Sequence, residues 1–207
     1  MLFVQERYDM SKMIFLGIVI GMSLGIMAGC AGNDRLVKDM SLSTIQNIFQ
    51  EIEENVSPVP GYADLRIFSS LKTHKPGVYS RKDIHGTPEF KLLLNIDGQA
   101  VLLRGSLQKE ISEPRKLADP EAGDGIRYRF SKSLRLKPGI HRIVVAIPDD
   151  GIVVEKNISL SEGSSNNLVL EPIYKTTPVM RRPRVGSTTS FMGGIRDIRL
   201  MFNGRRI

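Results

Sequence analysis

One thiol, three imidazoles and a cluster of guanidinium groups are the side chains of this 207-residue chain best suited to chemistry. The imidazoles belong to His74, His85 and His141, and the first two share one stretch of chain with Asp83 between them. A metal site needs three or four converging ligands. The sequence offers no H-x-x-x-H, C-x-x-C or acidic calcium loop, so the histidines read as surface residues, with no metal and no cofactor implied. Nucleophilic catalysis fares no better, since no G-x-S-x-G is present. The carboxylates are scattered among basic neighbours, a pattern of solvated faces in which no pair stands out as acid and base. No Gly-rich loop joins a strand to a helix, which leaves phosphate binding unsupported. The expectation is a noncatalytic protein, not an enzyme.

The guanidinium groups are concentrated at one end. The net charge is +7, yet residues 30–174 hold 19 basic and 19 acidic side chains, and residues 175–207 hold eight basic ones against Asp197 alone. The excess therefore lies in Arg181, Arg182, Arg184, Arg196, Arg199, Arg205 and Arg206, with Lys175. Such a cluster suits anionic headgroups, an acidic partner, or an edge strand kept soluble by charge. Basic residues interleaved with aromatic ones, as single-strand binders use, are missing, so nucleic acid is not an expected partner.

The thiol is Cys30, the only cysteine, which excludes an internal disulfide. Ahead of it every residue from Met13 to Ala28 is apolar, Gly or Ser. Sixteen such residues match the 7–15 of a secretory signal core better than the ~20 of a spanning helix. Glu6 and Asp9 do not suit a basic leader, whereas Met10-Ser11-Lys12-Met13 does, so translation is expected to begin at Met10. Met27-Ala28-Gly29-Cys30 resembles the lipobox of bacterial lipoproteins, with Met27 in place of the usual Leu. The resemblance implies that Met27, Ala28 and Gly29 are recognised by the signal peptidase. It further implies that Cys30 is lipidated, by diacylglycerol and palmitate, and becomes the first mature residue. Ala31, rather than Asp, after that cysteine implies the periplasmic face of the outer membrane where two membranes exist. The alternative is an uncleaved single-pass helix, in which Gly17, Gly21, Gly25 and Gly29 form a small-residue ridge.

Residues 30–42 read as the lipidated cysteine and a tether. Ser43 and Gln46 make a capping box, and Ile45, Ile48, Phe49, Ile52 and Val56 follow at helical spacing, predicting an amphipathic helix over 43–56. Glu51, Glu53 and Glu54 oppose the dipole at its carboxyl end. Residues 62–174 alternate as strands do, most clearly at Ala63-Leu65-Ile67, Phe90-Leu92-Leu94-Ile96 and Ile126-Tyr128-Phe130. Asp97-Gly98 predicts a tight hairpin. Lys137-Pro138-Gly139 and Pro148-Asp149-Asp150-Gly151 predict turns either side of Ile140–Ile147, whose two apolar faces suit a central strand. The stretches 72–89 and 113–125 read as exposed loops, and 175–194 as a linker rich in Pro, Ser, Thr and Arg. Residues 195–207 read as a basic segment able to return as an edge strand.

Six or seven strands with turns between them predict a mainly β chain, an antiparallel β-sandwich preceded by one α-helix. The run Leu134 to Val145, with its Pro-Gly turn, and then Glu162-Gly163 are similar to the PEGA and carboxypeptidase-regulatory-like modules of bacterial envelope proteins, over residues 90–174. This resemblance implies an Ig-like sandwich fold alone. Together these readings point to a membrane-anchored lipoprotein acting as a noncatalytic envelope binding or structural module with an envelope protein partner. A periplasmic-face binder of a small ligand or glycan is the alternative, and the oligomeric state is left open.

Overall fold

The computed structural model describes residues 42, 44–53, 56–111, 119–181 and 184–207, and for residues 177–181 and 184–187 the backbone alone. The leader, Met27, Ala28, Gly29, Cys30 and most of the tether lie outside them. Among the described residues there are thirteen strands and no α-helix. None of their helices is long and apolar enough to cross a membrane.

In chain order the strands are β1 (Phe49–Ile52), β2 (Ala63–Thr73), β3 (Lys91–Ile96), β4 (Gln99–Arg104) and β5 (Ser106–Glu110). Then come β6 (Gly125–Leu136), β7 (Gly139–Ile147), β8 (Ile152–Leu160) and β9 (Ser165–Tyr174). The last four are β10 (Thr176–Arg181), β11 (Arg184–Thr189), β12 (Ile195–Phe202) and β13 (Arg205–Arg206). The larger sheet runs β1-β6-β2-β9-β12-β13 with β5 also on β6; the smaller runs β4-β3-β7-β8; β10 and β11 form a separate ribbon.

Several sequence expectations correspond to particular features. Asp97 and Gly98 take positive φ (48° and 94°) and close the β3–β4 hairpin, as an Asp-Gly pair favours. Gly151 (φ 65°) ends the 3-10 turn Pro148–Asp150 between β7 and β8. β7 is central to its sheet, between β3 and β8. The C-terminal segment does return: β12 pairs with β9, and β13 folds back on β12.

Other expectations are corrected. The predicted helix over 43–56 is not formed: Phe49–Ile52 is a strand on the β6 edge, Phe49 opposite Leu136 and Ile52 opposite Ser133. Its entry is held by the Gln99 side chain, whose Oε1 accepts from the Ile48 and Phe49 amides at 2.7 and 3.2 Å. Four sheet hydrogen-bonding residues and a buried Phe49 outweigh an isolated helix too short to be stable alone. The predicted linker 175–194 contains the antiparallel ribbon β10–β11, as its Thr and Val content favours. The sheets are not wholly antiparallel either, because β2 and β9 run parallel from Asp64–Ser165 to Ser69–Leu170.

Alternation then builds the core. Ala63, Leu65, Ile67 and Leu71 of β2, with Tyr128, Phe130 and Leu134 of β6, join Leu92, Leu94, Ile143 and Val145 of the smaller sheet in one buried cluster. The chain passes between sheets at Gly105, where a Cβ would stand 3.0 Å from the Phe130 ring. Inside this cluster Tyr128 is fully buried and donates its hydroxyl to the Thr87 carbonyl at 2.7 Å.

Burial pushes the Tyr128 phenol up to about 12, against its hydrogen bonds. Its pKa is raised on folding, so its contribution is fully present below about pH 10 and is lost as pH rises towards 12. Tyr128→Phe is expected to cost about 1 kcal/mol at pH 7, through the lost hydrogen bond. It should also flatten the fall in stability above pH 10, as measured by urea unfolding across pH. An unchanged alkaline slope would contradict the burial argument.

Candidate functional site

Three places in the described residues gather chemically able side chains. The first is the connection between β2 and β3. β3 pairs antiparallel with β7, so its entry lies beside the exit of β7 and the turn at Pro148–Asp150. The loop is folded tightly: Gly86 (φ 78°) passes so close that a Cβ would meet the His74 carbonyl at 2.8 Å and Pro76 at 2.7 Å. Thr87 Oγ1 donates to the Ile84 carbonyl at 2.7 Å, and Tyr79 donates its hydroxyl to the Met192 carbonyl at 2.7 Å.

That folding brings two histidines onto one carboxylate. His74 Nε2 stands 2.5 Å from Asp83 Oδ2, and His85 Nδ1 stands 2.6 Å from Asp83 Oδ1. The other nitrogen of His85 reaches Asp150 Oδ2 at 3.2 Å. The rings continue into the core, from His74 to His85 (5.0 Å), to Phe90 (5.1 Å) and to Tyr128 (5.0 Å). His74 is buried, 4% exposed, and the side chains of His85, Asp83 and Asp150 are 15%, 11% and 8% exposed. The expectation of surface histidines is thereby corrected, since loop closure over the core shields both from water.

The electrostatics follow from the geometry. Hydrogen bonding to Asp150, helped by Asp83, holds His85 up at about 9 despite its burial. Burial works to raise Asp83, but the hydrogen bonds from His74 and His85 prevail and hold it at about 2. His74, Asp83 and His85 each offer a ligand atom within 4.8 Å of the others, a set able to hold a metal ion. His141 is different, with Nδ1 on Asp97 Oδ2 at 2.7 Å and Nε2 on the Lys137 carbonyl at 2.8 Å, pinning the turn that opens β7.

The second place is a charge network at the end of β2, where the first two residues of the expected loop 72–89, Lys72 and Thr73, are in fact strand and buried. Lys72, 1% exposed, donates to the carbonyls of Glu121 and Gly123 at 3.0 and 2.5 Å and pairs with Glu110 at 3.3 Å. Its ammonium also lies 5.0 Å from the Phe191 ring centre. Arg127 bridges Glu110 and Glu121 at 2.5 and 2.8 Å, and Tyr174 donates to Glu121 at 2.7 Å. Residues 113–118 of the loop predicted over 113–125 lie outside the described residues. These contacts tie down its last turn.

The third place is the outward face of the larger sheet. Register puts Ser131, Phe68, Val169, Met201 and Arg206 in one row across five strands. Phe68 and Val169 are 39% and 36% exposed. Arg66 on β2, Arg129 on β6 and Arg199 on β12 share this face, and Arg199 pairs loosely with Glu171 at 3.4 Å. Beside it, Lys156, Arg199 and Arg206 line a cavity of about 360 Å³ between β8 and β12, together with Glu155 and Asp197.

Of the arginines singled out in the sequence, Arg196, Arg199, Arg205 and Arg206 are thus exposed along the β12–β13 edge. Arg181 and Arg184 sit opposite one another at the end of the β10–β11 ribbon, and Arg182 lies outside the described residues. Sequence reasoning missed Asp150, Lys72 and Phe68, the first visible only as a turn residue, the second only as the start of a loop, and the third only as the residue after the alternating Ala63–Ile67. No known protein family, curated protein or solved structure matches the chain.

Removing one member of a buried charge network leaves its partners uncompensated, whereas exposed pairs contribute little. Lys72→Met is therefore expected to lower the unfolding free energy by about 3 kcal/mol, and Arg199→Ala by less than about 0.5 kcal/mol. Denaturant titration of both variants checks the contrast. Equal effects would show that the network carries no special weight.

Proposed function

We propose that this chain is a bacterial lipoprotein held to a membrane through Cys30, whose β domain acts as a noncatalytic binding module for an acidic envelope protein. The membrane attachment rests on the sequence: an apolar stretch, small residues at Ala28 and Gly29, and a single cysteine with no partner. The binding role rests on one observation, the outward row of exposed Phe68 and Val169 and half-buried Met201, with Arg66, Arg129, Arg199 and Arg206 around it. Apolar side chains ringed by arginine suit a protein interface, because arginine is enriched there and gives charge complementarity to an acidic partner. The two sheets, which share one buried cluster, are taken as the layers of an Ig-like or PEGA-like β-sandwich. Such a layer offers a sheet face, where a small-ligand or glycan binder needs a concave apolar pocket.

On this reading the mature chain begins at residue 30, and the module faces the periplasm from the outer membrane where two membranes exist. Lipid attachment gains about 0.8 kcal/mol per buried methylene, and more than one acyl chain is needed for stable anchoring. The anchor and the binding face are separable. Cys30→Ala should abolish incorporation of labelled palmitate and release the protein from the membrane fraction. A photo-crosslinker placed at Val169 should capture a protein in cells, one at Leu102 on the smaller sheet should not, and Arg199→Glu with Arg206→Glu should remove the adduct. An intact leader on the purified protein, seen by mass spectrometry, would overturn the lipoprotein reading. Equal capture from both positions would overturn the assigned face.

A further inference from the structure

The His74–Asp83–His85 cluster is built from parts that a structural ion pair does not need. Each ligand is fixed by a separate constraint. His74 follows directly on β2 and is buried, and Asp83 is set by a turn in which its amide donates to the Ser80 carbonyl at 3.2 Å. His85 is oriented by Asp150 behind it and by the Phe90 ring beside it. A carboxylate on the far nitrogen is the arrangement that orients metal-bound imidazoles and raises their basicity.

The second observation concerns His74 itself. Its Nδ1 is the one buried side-chain polar atom among the described residues with no hydrogen-bond partner. A buried unpaired group of this kind costs about 1–3 kcal/mol, so hydrogen bonding alone explains poorly why an imidazole occupies this position. The nitrogen turned to the cluster is Nε2, on Asp83, so the ring is placed for what it does there and not for its Nδ1. His141 provides the comparison within the same protein, since both its nitrogens are paired and it stands in no cluster.

We propose that His74, Asp83 and His85 bind a first-row divalent transition-metal ion, with Asp150 as the positioning residue for His85. Two imidazoles and a carboxylate suit zinc, cobalt, nickel or copper, whereas calcium and magnesium require mainly oxygen ligands. Charge agrees: with both histidines neutral, the carboxylates of Asp83 and Asp150 balance an ion of charge +2. The nitrogens that bind the ion must be free of protons, so each neutral ring keeps its one N–H on the far nitrogen, Nδ1 of His74 and Nε2 of His85, where the latter donates to Asp150. The partly exposed His85 and Asp83 leave a route for the ion from solvent and a fourth position for water.

The test uses the full chain, solubilised in detergent and purified without a polyhistidine tag. Cobalt(II) titration is expected to give saturable visible absorption at one equivalent, removed by one equivalent of zinc, and zinc should raise the melting temperature. His85→Gln and Asp83→Asn should each weaken binding at least 100-fold. Asp150→Asn should weaken it about 10- to 100-fold, and His141→Gln should leave it unchanged. Circular dichroism of each variant separates lost binding from lost folding, and the wild-type stoichiometry decides the matter even where a variant fails to fold. Absence of saturable binding in the wild type, or binding that survives in folded His85→Gln and Asp83→Asn, would overturn the site.

Discussion

The pairing of β2 with β6 over Ala63–Thr73 and Ile126–Leu136 is the constraint on which the rest depends. It fixes parity. Odd residues of β2 enter the core, and even residues face outward, where Asp64 and Lys72 at the two ends are nevertheless buried. Asp64 is held by Arg135 through two hydrogen bonds, at 2.8 and 2.9 Å. Lys72 is held by the network around Glu110, Arg127 and Glu121. Between these closed ends Arg66, Phe68 and Ser70 are left open, so the same register that fills the core frames the exposed window. A slip of one residue would exchange the two faces and bury charge where Leu65 and Ile67 belong.

Much of this was legible because local chemistry and tertiary structure agree. Asp97-Gly98 takes positive φ wherever it closes a two-residue hairpin, and Ile126, Tyr128 and Phe130 alternate because only one face of β6 is buried. The stretch around Ile45–Val56 was misread because its apolar spacing fits a helix, while the deciding partners, the Gln99 side chain and the β6 edge, lie far away in sequence. Here tertiary pairing overrides periodicity. The ribbon β10–β11 was read as linker from its Pro and Ser content, although Pro178 is tolerated in a two-stranded ribbon that has edges on both sides.

The histidine cluster was half legible. His74, Asp83 and His85 stand close in sequence, but their convergence depends on the tight passage of Gly86, and the fourth member depends on pairing between β3 and β7. No local pattern announces that Asp150 will stand behind His85. The arginines show the opposite case, because their clustering in sequence survives folding for the residues on β12 and β13, which lie side by side at a sheet edge.

The parallel ladder between β2 and β9 joins Asp64–Ser69 to Ser165–Leu170. The middle of the larger sheet therefore waits on strands separated by about a hundred residues, a non-local closure of the kind that makes folding slow. Until Leu170 has been made, one side of β2 has nothing to zip against. The order of synthesis thus constrains the order of assembly: the β2–β6 ladder has both its strands early, and the larger sheet closes only once β9 has emerged.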